Sequence, residues 1–161
     1  MVDDRIQRPQ NEENLEWSVI EPMWGSVDIY DSLEVLETYL APASPGQRAV
    51  FSTTWLHNEV CNGGFDQFFY NSTGILSHEA LLGFERLGAT DYRGLVERAM
   101  SLFPEGIVPS DRAKRVELLE SIECKLLEEI DRQFLALDNQ APLYGFMHKY
   151  ISEHPEEFFI E

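Results

Sequence analysis

The sequence feature that most constrains the fold is a long run, Ser110 to Leu137, that contains no glycine and no proline. Its apolar residues recur at helical spacing, which predicts one long helix with one face against the core. On a helical wheel that face comprises Val116, Leu119, Ile122, Leu126, Leu127, Ile130, Phe134 and Leu137. The opposite side carries a narrow acidic stripe, comprising Glu117, Glu120, Glu128 and Asp131, with Glu123 at its edge. We therefore predict an acidic ridge along this helix.

Shorter helices are predicted on both sides of the long run. Ser44-Pro45 places a capping residue before a proline at the first helical position, so a helix should extend from there to Val60. Apolar residues also recur at helical spacing in the segments 28–40, capped by Asp28, 77–87, capped by Ser77, 91–103, and 143–152. No run shows the sustained alternation of a strand. The sequence thus predicts an all-α fold.

The length of 161 residues is that of one domain and is sufficient to bury a core. We predict a single acidic helical domain over residues 11–161, a compact array of about seven or eight helices. The polar residues 1–10 should form a flexible N-terminal segment.

A sharp turn is predicted at Asn62-Gly63-Gly64, because two glycines after an asparagine favour positive-φ conformations. In this interpretation the glycines let two helices approach closely, and Asp66 or Asn62 caps exposed amides. The aromatic residues that follow, Phe65, Phe68 and Phe69, should fill the core. The segment is therefore predicted to be a structural corner.

The charge of the chain restricts its partners. Twelve lysines and arginines stand against 29 aspartates and glutamates, for a formal net charge of −17. Nucleic acids and anionic membranes are bound through Lys and Arg, so a field of this sign disfavours both and attracts basic proteins. We predict a basic protein partner, with no direct nucleic-acid contact and no membrane contact. Solubility alone is the other explanation of the charge.

If the charge serves to bind a basic protein, the acidic ridge has a specific use. Carboxylates three or four residues apart on a helix lie roughly 5 to 6 Å from each other at Cβ, similar to successive phosphates along a strand. A basic groove could therefore accept Glu117, Glu120, Glu123, Glu128 and Asp131. The alternative interpretation is an ordinary solvated helix face.

Compartment and redox state follow from the N-terminus and the cysteines. The N-terminus has no apolar stretch of signal-peptide length, and no segment approaches about 18 consecutive apolar residues. Cys61 and Cys124 are the only cysteines, and no second thiol stands at metal-ligand spacing. A cytoplasmic protein without a structural disulfide is expected.

The sequence offers few specific combinations of residues for a catalytic or metal site. His57 and Cys61 share a helix face and could supply two zinc ligands, but no third or fourth ligand stands at a helpful spacing. Nothing singles out a Cys/His nucleophile pair. The 29 acidic residues supply many chance carboxylate pairs, and glycine-rich phosphate loops are absent. We predict no catalytic residue, no metal, no cofactor and no enzyme activity.

The corner also carries a family resemblance, through Asn62, Gly63, Gly64, Phe65, Asp66, Gln67, Phe68, Phe69, Tyr70 and Asn71. These residues resemble the signature of the C-terminal domain of the DNA-mimic protein nineteen family. The resemblance extends to 81–89, to Tyr150-Ile151 and to Phe158, and covers roughly residues 30–160. It implies an all-helical fold and an acidic homodimer that occupies the DNA-binding surface of a transcription factor. Mimicry depends on where surface carboxylates lie, so the motif itself is expected to be structural.

The leading hypothesis is an acidic DNA-mimic or regulatory protein, acting in transcription regulation, that occupies the basic DNA-binding surface of its partner. One alternative is an immunity or antitoxin protein that neutralises a basic toxin or nuclease with the same acids. Another is an enzyme whose pocket is lined by His57, Asn62, Asp66 and Gln67 at the corner.

Overall fold

The computed structural model describes residues 3–24 and 30–161, and these residues contain eight α-helices. The helices are α1 (Leu15–Ser18), α2 (Leu33–Leu40), α3 (Pro45–Tyr70), α4 (Ser77–Arg86), α5 (Thr90–Ser101), α6 (Arg112–Leu119), α7 (Cys124–Gln140) and α8 (Leu143–Glu153). Short 3-10 helices add Glu21–Met23, Ser72–Leu76, Pro104–Gly106 and Pro155–Glu157. The predicted all-α fold with about eight helices is confirmed.

Two short strands join the ends of the chain. Strand β1 (Ile6–Gln7) runs parallel to β2 (Phe159–Ile160), with Ile6 opposite Phe159. The pairing involves residues inside the predicted flexible segment 1–10, whose flexibility stays a prediction. Within the described residues, no helix has both the length and the apolar character needed to cross a bilayer.

Helix α3 is the central element, and α4, α6, α7 and α8 all contact it. Its start is fixed by a capping box, as Ser44-Pro45 predicted: the Ser44 hydroxyl accepts from the Gln47 N–H at 3.0 Å, and the Gln47 side chain accepts from the Ser44 N–H at 3.1 Å. The core packed around α3 is rich in phenylalanine, and its fully buried members include Phe51, Phe65, Phe68, Phe69, Phe84 and Phe134.

The predicted turn at Gly63-Gly64 is a kink inside α3. Gly63 has φ −149° and ψ 18°, and Gly64 has φ 78° and ψ 179°, so the helix axis breaks between two helical pieces. The N–H of Phe65, the first residue after the kink, donates to Asp131 Oδ1 on α7 at 2.8 Å. The predicted cap was Asp66 or Asn62, and that prediction is wrong at this amide: Asp66 is exposed, and the cap comes from another helix.

The single long helix predicted over 110–137 is wrong, because the chain forms α6 and α7 with a turn between them. At the end of α6, Ser121 and Ile122 bond to the carbonyls three residues back, and Glu123 is extended with ψ 123°. The two helices have different neighbours: α6 contacts α3 and the 3-10 helix at 72–76, whereas α7 contacts α3 and α5. A single helix would not pack against both sets, so tertiary packing breaks it without a glycine or proline.

The predicted helix caps Asp28 and Ser77 have different outcomes. The Asp28 cap lies outside the described residues, and α2 begins at Leu33 with the Ser32 hydroxyl accepting from the Val35 N–H at 3.2 Å. The Ser77 cap is wrong, because Ser77 lies in the first turn of α4 and its hydroxyl donates to the Gly74 carbonyl at 2.7 Å. The long run was predicted to begin at Ser110, and α6 begins at Arg112, where the Asp111 carboxylate accepts from the Lys114 N–H at 2.8 Å.

Candidate functional site

The predicted acidic ridge is a corner rather than one helix face. Glu117 lies on α6, Glu120 and Glu123 lie in the turn, and Glu128 lies on α7. All four side chains are exposed, and we call them the acidic corner. In the described parts of the chain, none of the four has a Lys, Arg or His nitrogen within 4.0 Å. Their charges are therefore available to a partner.

Asp131, the fifth residue of the predicted ridge, has a different environment. Its side chain is half-buried against the kink of α3 and accepts the Phe65 N–H. Burial raises the pKa of its carboxyl, against the lowering effect of that hydrogen bond, and the nearby carboxylates of Asp66 and Glu128 raise it further. A carboxylate in this position caps α3 and is not free to bind a partner, so Asp131 is not part of the acidic corner.

The three amide side chains of the 62–71 motif belong to a network around one buried carboxylate, that of Glu59, which is only 8% exposed. Gln67 Nε2 and Asn71 Nδ2 donate to Glu59 Oε2 at 2.6 and 3.0 Å. Thr73 Oγ1 donates to Glu59 Oε1 at 2.9 Å, and Asn62 Nδ2 donates to Gln67 Oε1 at 3.1 Å. These bonds tie the two pieces of α3 together across the kink.

The apolar half of the motif is core. Phe65, Phe68 and Phe69 are fully buried, as predicted, while Tyr70 is exposed with the Arg112 guanidinium 4.8 Å above its ring. Gly63 and Gly64 both lack room for a side chain, because an added Cβ would collide with the Gln67 and Asp131 side chains respectively. Except for Asp66 and Tyr70, each motif residue therefore contributes to the kink or to the core beneath it.

The hypothesis of an enzyme requires one pocket that is lined by His57, Asn62, Asp66 and Gln67. The contacts separate them: Asn62 and Gln67 belong to the Glu59 network, Asp66 is exposed, and His57 is paired with Asp138 on α7. The corner motif does not line one cleft with His57.

A second cluster surrounds His57. His57 Nε2 lies 2.9 Å from Asp138 Oδ2 and 3.6 Å from Cys61 Sγ, and the three ligand atoms all lie within 4.8 Å of one another. The cluster borders a cavity of about 430 Å³, whose lining includes Glu16, Trp17, His57, Asp138 and Tyr144. No third ligand for His57 and Cys61 was predicted from the sequence spacing; Asp138 lies in that position, 77 residues beyond Cys61.

Buried partners orient the Asp138 carboxylate. The Tyr92 hydroxyl lies 2.7 Å from both Asp138 Oδ1 and the Ala141 carbonyl, and the Leu143 N–H donates to Oδ1 at 3.3 Å. Burial alone would raise the pKa of Asp138, but hydrogen bonds from Tyr92 and His57 outweigh it and lower the pKa below its ordinary value. Burial and the Asp138 charge raise the pKa of the Cys61 thiol. Oδ2 of Asp138 is thus left facing His57.

Asp138, which the sequence did not single out, and Asp131, which it placed in the acidic ridge, share a detectable signal. Asp131 lies four residues after the buried Leu127, and Asp138 lies four residues after the buried Phe134, so both adjoin the buried face of α7. An acidic residue on an apolar helix face indicates a specific partner. The identity of that partner depends on tertiary contacts and is not readable from the helix alone.

Comparison with protein families gives one match. A family model described as DMP19-like protein matches residues 41–154, a range that contains the motif, the acidic corner and the His57 cluster. Comparisons with curated proteins and with solved structures found no match.

Proposed function

The chain belongs to the DMP19-like protein family, and from this premise we propose that it is an acidic DNA mimic whose acidic corner occupies the basic DNA-binding surface of a protein partner. The family match and the net charge of −17 support the class of protein. The partner is expected to be a DNA-binding protein whose Lys and Arg side chains normally contact phosphates.

The observation that carries the proposal is the exposure of four carboxylates that have no ion-pair partner among the residues the structure describes. Between residues 117 and 128 the chain has four acids and one base, Lys125. Surface acids of a protein that uses charge only for folding would be interspersed with cations, since like charges repel. A concentrated negative patch instead attracts a cationic groove and accelerates association with it.

The corner is held by packed side chains, which favours binding without a large ordering cost. On α6, Arg115 and Leu119 are buried, and on α7, Leu127, Ile130 and Phe134 are buried. The helix ends that carry the acids are thus anchored on both sides of the turn.

The test is a pull-down from the source cell lysate with elution by a salt gradient and identification by mass spectrometry. Wild type is compared with the variant E117Q/E120Q/E123Q/E128Q. The matched control is D31N/E105Q/E153Q/E161Q, which removes the same charge from exposed acids elsewhere. Asp131 is left intact, because it caps α3 and its loss would confuse folding with binding.

We expect wild type and the control to retain a basic DNA-binding protein and the corner variant to lose it. Elution should need moderate salt, because charges are screened over about 8 to 10 Å at ordinary ionic strength. Retention by the corner variant, or binding unchanged in about 1 M salt, contradicts the proposal. A basic toxin or nuclease in the eluate identifies the immunity or antitoxin function instead, with the same acids.

A further inference from the structure

The His57 cluster has the donor chemistry of a transition-metal site. His57 and Cys61 lie one turn apart on α3, and Asp138 approaches from α7. The three donors are an imidazole nitrogen, a sulfur and a carboxylate oxygen, a set that suits Zn²⁺ and similar ions. Mg²⁺ and Ca²⁺ prefer oxygen ligands alone, so they fit the cluster poorly.

The distances agree with tetrahedral coordination. Zn–S and Zn–N bonds of about 2.3 and 2.0–2.1 Å at a tetrahedral angle separate sulfur from nitrogen by about 3.6 Å, and Cys61 Sγ lies 3.6 Å from His57 Nε2. The same reasoning separates nitrogen from oxygen by about 3.3 Å, against 2.9 Å between His57 Nε2 and Asp138 Oδ2. The carboxylate need withdraw only a few tenths of an ångström to admit the ion.

The surroundings provide the outer support that metal ligands require. Tyr92 is fully buried, and its hydroxyl, with the Leu143 N–H, contacts Oδ1 of Asp138. Oδ2 is therefore the oxygen turned towards His57, and its position is set by the protein rather than by solvent. His57 and Asp138 also line the cavity beside α1 and α8, which gives a fourth ligand access.

We propose that His57 Nε2, Cys61 Sγ and Asp138 Oδ2 bind one Zn²⁺ ion, with the fourth coordination position facing the cavity. Binding converts the Cys61 thiol to a thiolate and releases its proton to solvent. The thiolate and the carboxylate together then neutralise the charge of the ion. The inference is independent of the DNA-mimic proposal, since none of the three ligands belongs to the acidic corner.

The test uses the full chain without an affinity tag, stripped with a chelator and titrated with Co²⁺ as the spectroscopic probe. A thiolate-to-cobalt charge-transfer band in the near ultraviolet should saturate at one ion per chain, and Zn²⁺ should displace it. Competition with a chromogenic chelator then gives the Zn²⁺ affinity.

Five variants, three at the ligands and two controls, distinguish the proposed site from surface binding. C61S should abolish the band, while H57Q and D138N should weaken Zn²⁺ affinity by at least about tenfold, a loss seen even for outer-shell changes. C124S removes the other exposed cysteine, and H154Q disrupts the separate group of His154, Glu156 and Glu157. Both controls should keep the band and the affinity.

Folding is checked by circular dichroism, and D138N retains an acceptor for Tyr92. Zn²⁺ should also raise the Tm of wild type and of C124S but not of C61S, because a ligand stabilises only the state that binds it. Absence of the band in wild type, its persistence in C61S, or its loss in C124S would overturn the proposal. In that event His57 and Asp138 form only a hydrogen-bonded pair.

Discussion

At the residue scale, the buried charged groups are matched to acceptors or donors that the fold supplies. Glu59 receives three side-chain donors, Asp131 receives a backbone N–H, and Arg115 is surrounded by backbone carbonyls. A buried polar group without a partner would cost free energy, so each of these residues fixes the position of its partners as well. None of the three was predicted to be buried, because their partners lie up to 66 residues away along the chain.

Arg115 provides the first prediction. Its side chain is fully buried and donates to the carbonyls of Phe69, Asn71, Pro109 and Ser110 at 2.8 to 3.0 Å. Burial lowers its pKa to about 10, so the guanidinium remains charged at neutral pH. R115M leaves these carbonyls without donors and should lower the free energy of unfolding by about 3 kcal/mol or more, measured by urea denaturation.

Two further variants distinguish the contribution of the Arg115 hydrogen-bond donors from that of its charge and from that of any arginine on α6. R115K keeps the charge but cannot reach all four acceptors with one ammonium group, so it should also lose stability. R112M, on the exposed side of α6, should lose about 1 kcal/mol or less. Equal losses in R112M and R115M would show that the buried carbonyl contacts do not stabilise the fold.

At the element scale, local signals predicted where α3 begins and bends, but not where the long helix breaks. Ser44-Pro45 and Gly63-Gly64 act through backbone conformation, which the residues themselves dictate. The break at 120–123 has no such residue and follows from the different neighbours of α6 and α7. The acidic ridge was predicted on a single helix, so its predicted shape is wrong because α6 and α7 are separate helices. Four of its five acids are nevertheless exposed.

The kink of α3 gives the second prediction. In G64A the alanine must adopt a backbone φ near 78°. Its Cβ would also collide with the Asp131 carboxylate that caps Phe65. We expect a loss of about 1–3 kcal/mol for a backbone conformation, φ 78° and ψ 179°, that is essentially restricted to glycine, and a further loss of about 1 kcal/mol for the displaced cap. Chemical denaturation measures both together.

Gly88 offers a matched control for this prediction. It has φ 70°, close to that of Gly64, but an added Cβ would meet nothing within 4 Å. G88A should therefore show the cost of a positive φ without a collision and remain more stable than G64A. If the two variants lose the same free energy, neither the ψ of Gly64 nor its contact with Asp131 contributes measurably.

At the scale of the whole molecule, the net charge of −17 opposes folding through self-repulsion. Composition gives this charge completely, because charge is additive along the sequence, while the basic partner inferred from it stays a prediction. Composition could not show which acids are paired. Glu79 and Glu37 contact Arg48, whereas the acidic corner has no such cation among the described residues. Only the folded structure distinguishes acids used internally from acids presented to solvent.

The last prediction follows from that distinction. In the variant E117Q/E120Q/E123Q/E128Q no intramolecular ion pair of the described residues is lost, and repulsion between neighbours is relieved. Glu117 and Glu120 lie at the C-terminal end of α6, where an acid is unfavourable, and Glu123 precedes α7, where it is favourable. The substitutions thus remove two unfavourable dipole contacts and one favourable contact. We therefore expect the free energy of unfolding to stay within about 1 kcal/mol of wild type or to rise.

The stability of this variant should also depend less on salt concentration than that of wild type, because fewer repulsions between carboxylates remain to be screened. Thermal unfolding over a series of NaCl concentrations measures this dependence, with D31N/E105Q/E153Q/E161Q as the charge-matched control. Neutral or increased stability combined with lost partner binding would mean that the corner is kept for recognition at the expense of folding. A loss of several kcal/mol would instead make these acids structural, and the proposed binding surface would have to lie elsewhere on the molecule.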